Sequence, residues 1–172
     1  MTNVGRVALR AGAFLALLLL TGCGFRPLYG ERALIPEVST EMALIDIRAI
    51  DNRVGLTLRN HLLDLLTPLG TPAQPRYVLA VDLVATRQGL ALERDATVTR
   101  FNLTLNAEYR LLDAATRQEL NAGTARSTAA FNVVRADFAN VIADRDAEDR
   151  AARVVAEEIV TRLSVFFARR VR

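Results

Sequence analysis

Between residues 95 and 112 the sequence alternates almost without a break. Phe101, Leu103, Leu105, Ala107, Tyr109 and Leu111 fall on one side; Arg100, Asn102, Thr104, Asn106, Glu108 and Arg110 fall on the other. Successive side chains of a strand point to opposite faces, so this period reads as a strand with one face on a core and one in water. The run is well beyond the usual strand of about five or six residues.

The neighbouring segments supply the rest of a domain. Residues 41–51 alternate, with Ala43, Ile45, Ile47 and Ala49 on one face, and read as a strand. Residues 51–69 change period: Val54, Leu58, Leu62, Leu65, Leu66 and Leu69 make an apolar stripe at helical spacing. Asp51 or Asn52 is placed to cap that helix, and Pro68, Gly70 and Pro72 to end it. Residues 76–87 read as a strand, with Tyr77, Leu79, Val81, Leu83 and Ala85 on one face; residues 88–94, containing Gly89, read as a turn. After a second turn at 113–118, residues 119–134 read as a fourth strand with Ala125, Ala129, Phe131 and Val133 inward.

From about residue 136 to 168 the pattern is helical. Ala147, Ala151, Val155, Ile159, Leu163 and Phe166 form its stripe, with Val154 and Phe167 beside it. Acidic residues gather early (Asp144, Asp146, Glu148, Asp149) and arginines late, which suits the helix dipole on a solvated face. The order β-α-β-β-β-α gives an α+β fold: a mainly antiparallel four-stranded sheet with two helices packed on one face and a polar face left free.

The N-terminus reads as an address. Arg6 and Arg10 precede an apolar run from Ala11 to Leu20, then Thr21-Gly22-Cys23. Positive, apolar, then small is the signal-peptide order, and the run falls short of the about 20 residues of a membrane span. Leu20-Thr21-Gly22-Cys23 resembles the lipobox of bacterial lipoproteins, which makes Cys23 the acylated first residue of the mature chain. A buried free cysteine behind an ordinary signal or anchor helix is the alternative. Cys23 is the only cysteine, so no disulfide forms within the chain. Gly24 after it, rather than aspartate, favours the outer membrane by resemblance to lipoprotein sorting. The organisation is then residues 1–22 signal peptide, 23–40 lipidated N-terminus and tether, and 41–172 one periplasmic domain. Phe25, Leu28 and Tyr29 are more apolar than a plain tether needs, and suit packing on the domain or a partner.

Composition narrows the function. Every basic residue is arginine; without Arg6 and Arg10, 20 arginines face 19 acidic residues. A nucleic-acid binder would carry a strong basic excess. The single histidine, His61, has no ligand set around it for a metal and reads as a surface residue. No nucleophile elbow, glycine-rich phosphate loop or isolated carboxylate pair marks catalysis, and no cofactor is implied. Arg87, Arg94, Arg100 and Arg126 gather around the second hairpin. A guanidinium grips phosphate at two points, so these four are candidates for an anionic glycolipid; local pairing to Glu93, Asp95 or Glu108 is the plainer reading of each.

Cys23-Gly24-Phe25-Arg26-Pro27-Leu28-Tyr29-Gly30, Arg76-Tyr77, Asp95-x-Thr97-x-Thr99-Arg100, and the helix over 144–163 together resemble the lipopolysaccharide-assembly lipoprotein family LptE. The resemblance implies a non-enzymatic outer-membrane lipoprotein that plugs the large β-barrel LptD, helps it assemble, and with it inserts lipopolysaccharide into the outer leaflet. Lipopolysaccharide contact through basic residues is implied as well. The competing reading is a stand-alone lipoprotein that binds glycolipid or cell wall without a barrel.

Overall fold

The computed structural model describes residues 36–92 and 98–170. Cys23, the signal segment, most of the tether and Arg94 lie outside them.

The first described element was not expected: Pro36–Met42 forms a helix, α1, where the sequence reads as the end of a tether and the start of a strand. Proline suits a first helical position, where its missing N–H has no partner anyway. Val38 and Met42, four residues apart, both go into the core. Because α1 takes residues through Met42, the strand expected at 41–51 shrinks to Ile45–Ile47, β1.

Helix α2 spans Asn52–Leu66. Of the two cap candidates, Asn52 does the work: its Oδ1 accepts the Gly55 N–H at 3.0 Å. Asn52 sits at φ 66°, a region asparagine tolerates better than most residues. Gly55 is required by a close approach, since a Cβ there would lie 2.7 Å from the Ile50 side chain. Val54, Leu58, Leu62 and Leu66 are buried as expected, but Leu65 and Leu69 are exposed. Helix α2 therefore ends three residues short of the predicted stripe.

Strands β2 (Tyr77–Leu92), β3 (Val98–Asp113) and β4 (Glu119–Asn132) form an antiparallel meander, and the sheet order is β1-β2-β3-β4. Strand β1 pairs parallel to β2, Ile45 opposite Tyr77, because α2 carries the chain back across the sheet between them. The sheet is thus mixed, with one parallel edge. The turn expected at 88–94 is displaced: β2 runs on to Leu92, and the irregularity around Gly89 and Ala91 is absorbed as a register shift rather than a reversal. The 113–118 turn is present. Asp113 Oδ1 accepts the N–H groups of Ala115 (3.0 Å) and Thr116 (2.8 Å). Those bonds, the Thr116 N–H first, hold the Asp113 carboxyl below the usual carboxylate range.

Helix α3 covers Asp137–Arg170. It buries Ala147, Ala151, Val155, Ile159 and Leu163 with Phe167, which takes the place expected for Phe166. The Phe167 ring stands edge-on to Tyr77 at 5.1 Å. The three described helices share one core with a single side of the sheet, to which β2 gives Leu79 and Val81, β3 gives Leu103, Leu105, Ala107, Tyr109 and Leu111, and β4 gives Ala125 and Ala129. Small residues on β4 let the structure close tightly: a Cβ on Gly123 would lie 2.7 Å from the Tyr109 hydroxyl.

An edge strand exposes a row of unpaired backbone groups. On β4 the long helix answers some of them. Glu158 Oε2 accepts the Arg126 N–H at 3.1 Å, and Arg150 donates to the Ala130 carbonyl at 3.3 Å.

Candidate functional site

With the described helices all on one side, the other side of the sheet is open along β3, β4 and the later part of β2, while Val78 near the start of β2 is buried on it, and the parity of each strand decides what it shows. Strand β3 presents Arg100, Asn102, Thr104, Asn106, Glu108 and Arg110; β4 adds Thr124, Arg126 and Thr128; β2 adds Asp82 and Val84. The face is laced together by side chains. The hydroxyls of Thr104 and Thr128 meet at 3.1 Å across the strands. Asp82 lies directly opposite Glu108, a like-charge pairing that would repel. Arg110, beside both, donates to Asp82 at 3.0 Å and offsets it. Asp82, Glu108, Arg110 and Thr124 line a shallow depression there.

The four candidate arginines separate. Arg87 shares its parity with Tyr77, Leu79 and Val81, so it faces the helices, not the open side. It grips Asp144 with two bonds of 2.8 and 3.0 Å and reaches Glu148 at 2.5 Å. The Asp144 bond is the main reason its guanidinium is held charged above the ordinary arginine range. Glu148 is only 2 % exposed, and Arg53 of α2 meets its other oxygen. One carboxylate therefore ties α2, β2 and α3 together. The sequence read 144–149 as a solvated acidic run; the missed signal was that Asp144 and Glu148, four apart, line up with the inward residues Ala151 and Val155.

Arg100 and Arg126 lie on the open face, exposed, and neither side chain has an ion-pair partner among the described residues. Arg126 is opposite Asn106, six positions along β3 from Arg100. At about 3.3 Å per residue that is roughly 20 Å. The two cannot grip one phosphate, but they suit an extended ligand or partner carrying several anionic groups. Arg94 lies outside the described residues.

His61 is not a free surface residue. Its side chain is 20 % exposed and its Nε2 sits 2.8 Å from Asp149 Oδ1. That contact, ahead of Arg153, lowers the Asp149 carboxyl. Among the described residues no group of three or more His, Cys, Asp and Glu is arranged to hold a metal.

Beyond the sheet, the first turns of α3 carry Phe138, Val141 and Ile142, spaced to share a helix face, and all three are exposed, Phe138 at 80 %. Val134, just before the helix, is exposed as well. The approach is rigid: Asn140 accepts the Val134 N–H and donates to the Val134 carbonyl, both at 2.8 Å.

The profile of the LptE lipopolysaccharide-assembly family matches residues 41–163, from the end of α1 to the last turns of α3. The chain belongs to the LptE family. Solved structures share its fold. A protein from Caulobacter crescentus described as a lipoprotein is 27 % identical, with a TM-score of 0.64 over 76 % of this chain and 96 % of its own. Lipoprotein B from Nitrosomonas europaea (18 % identity, TM-score 0.54, 78 % of this chain, 91 % of its own) shares the fold. So does a minor lipoprotein from Acinetobacter baumannii (18 %, 0.54, 70 % and 88 %). No curated protein matches the chain significantly. Measured against the LptE match, the open sheet face and the Arg87–Glu148 clamp both fall within the family's extent.

Proposed function

We propose that this protein is a non-enzymatic lipoprotein of the outer membrane, anchored through acylated Cys23, that seats in the lumen of the LptD barrel, assists its assembly and serves lipopolysaccharide insertion. The observation that carries the reading is the asymmetry of the domain. Every described helix is on one side of the sheet, and along β3 and β4 the other side is polar and largely exposed, though Val78 of β2 is buried on it. A plug in a water-filled, polar barrel lumen needs such a surface. The exposed Val134, Phe138, Val141 and Ile142 add an apolar patch of the kind that marks partner contact.

Within this reading Cys23 is the anchor, because two or more acyl chains hold a protein stably where one does not. Arg94, Arg100 and Arg126 are the cationic contacts for lipopolysaccharide phosphates, while Arg87 holds the scaffold. Depletion of the protein followed by a measurement of surface lipopolysaccharide tests the role. Surface lipopolysaccharide should fall; an unchanged level would refute an assembly function.

A further inference from the structure

Helix α3 answers the exposed edge of β4 at two places and leaves a third unanswered. Arg150 meets the Ala130 carbonyl, and Glu158 meets the Arg126 N–H. Between these contacts the strand steps back four residues and the helix advances eight, about 13 Å against about 12 Å. One more step reaches Ala122 on the strand and Phe166 on the helix, whose side chain offers no oxygen. The register against β3 is unbroken from Asn121 to Asn132, so Ala122 turns its backbone to the edge as Arg126 does.

A cavity of about 330 Å³ opens at this point, lined by Asn121, Ala122, Arg162, Val165, Phe166 and Arg169 among others. Asn121 Oδ1 is buried without a hydrogen-bond partner, an unfavourable state for an acceptor. Arg162 is held by Glu158, but Arg169 is exposed and has no ion-pair partner among the described residues.

We propose that this cavity takes the C-terminal end of a partner polypeptide. The terminal carboxylate accepts from Arg169 and from the Ala122 N–H, the last peptide N–H donates to Asn121 Oδ1, and the last side chain lies on Val165 and Phe166. A guanidinium bonds strongly to a carboxylate, and a free strand edge pairs with an extended chain. Val165, 47 % exposed, supplies apolar surface. Asn121 and Ala122 are neighbours, so the ligand's anion and its donor must be neighbours too, as they are in the last residue of a chain. The free edge is too short for a whole added strand. Glu158 occupies it at Arg126, and on the other side the register shifts between Leu111 and Leu112. A chain end fits that length. The site lies where α3 meets β4, not among the open-face arginines, and stands independently of them.

Isothermal titration calorimetry of the mature protein in detergent tests this with the dipeptide acetyl-Ala-Phe and with its C-terminal amide. The free acid should bind, and the amide should bind about tenfold more weakly or worse. Arg169→Gln should weaken the acid about tenfold and leave the amide unchanged, whereas Asn121→Leu should weaken both. Arg169 is exposed, so its replacement leaves the fold intact, which circular dichroism verifies. No binding of either dipeptide overturns the proposal, as does equal binding of acid and amide. So does acid binding that Arg169→Gln leaves unchanged. Inorganic phosphate bound more tightly than the acid overturns it as well, because the cavity is then a plain anion site.

Discussion

Arg87 and Glu148 meet at 2.5 Å across the interface between β2 and α3, with the carboxylate almost entirely out of water. Removing one partner of such a pair leaves a charge buried without full compensation. For fully buried pairs this costs about 3–5 kcal/mol. The Arg87 side chain is 39 % exposed and Arg53 remains beside Glu148, so Arg87→Ala should cost less, about 2 kcal/mol. Urea denaturation measures it. Arg87→Met combined with Glu148→Leu should recover most of the loss, because it removes both charges; a double variant less stable than either single one would refute the clamp.

Gly123 and Tyr109 face each other across β4 and β3. Gly123→Val should destabilise the domain by about 1–3 kcal/mol, the usual range for overpacking, because its Cβ would strike the Tyr109 ring. Replacing Tyr109 by leucine in the same chain should make the valine cheaper than it is alone. Additive losses in the double-mutant cycle would show that the two sites do not touch.

Tyr77 and Tyr109 are both raised above the ordinary phenol value, chiefly by burial. A raised pKa means that the folded state favours the protonated form. Its contribution is fully present below the unfolded value, about 10, and is lost as pH rises through and beyond it. Stability should therefore decline above about pH 10, and Tyr77→Phe should flatten part of that decline. Alkaline denaturation followed by circular dichroism checks this; identical pH profiles for the two proteins would remove Tyr77 from the account.

Arg100→Ala and Arg126→Ala should each leave thermal stability within about 0.5 kcal/mol, as surface changes do, and each should weaken lipopolysaccharide binding. At roughly 20 Å apart their effects should add. Binding unchanged in the double variant would exclude the open face as the lipid contact.

Much of this architecture was legible in the residues. The alternation over β3 assigns its two faces, and parity does the same for Tyr77, Leu79 and Val81 on β2 and for Ala125 and Ala129 on β4; Ala85, expected inward, is exposed, and Val133 lies past the end of β4. What failed had physical causes. A seven-residue helix carries too few turns to show a period, so α1 passed as tether and β1 looked longer than it is. Gly89 reads as a chain reversal, whereas a long hairpin can absorb it as an irregularity in register. Glu148 looked solvated because its burial depends on two arginines from elsewhere in the chain, Arg53 and Arg87. Of the candidate site, the open-face positions of Arg100 and Arg126 followed from parity alone. The same parity puts Arg87, the last residue of the 76–87 run, on the covered face with Tyr77, Leu79 and Val81.

Cys23→Ala separates anchor from fold. The altered protein should lose its membrane attachment while its domain unfolds at the same temperature as before, since among the described residues the core runs from Val38 onward. Fractionation and thermal melting measure the two halves. A Cys23→Ala protein still in the outer-membrane fraction would mean that a partner, not lipid, holds it there.

Gentle crosslinking in cells, followed by detergent extraction and purification of the tagged protein, separates a barrel plug from a stand-alone lipoprotein. A large outer-membrane β-barrel identified as LptD should copurify in near-equal amount. Recovery of the tagged protein alone would refute the proposed partnership.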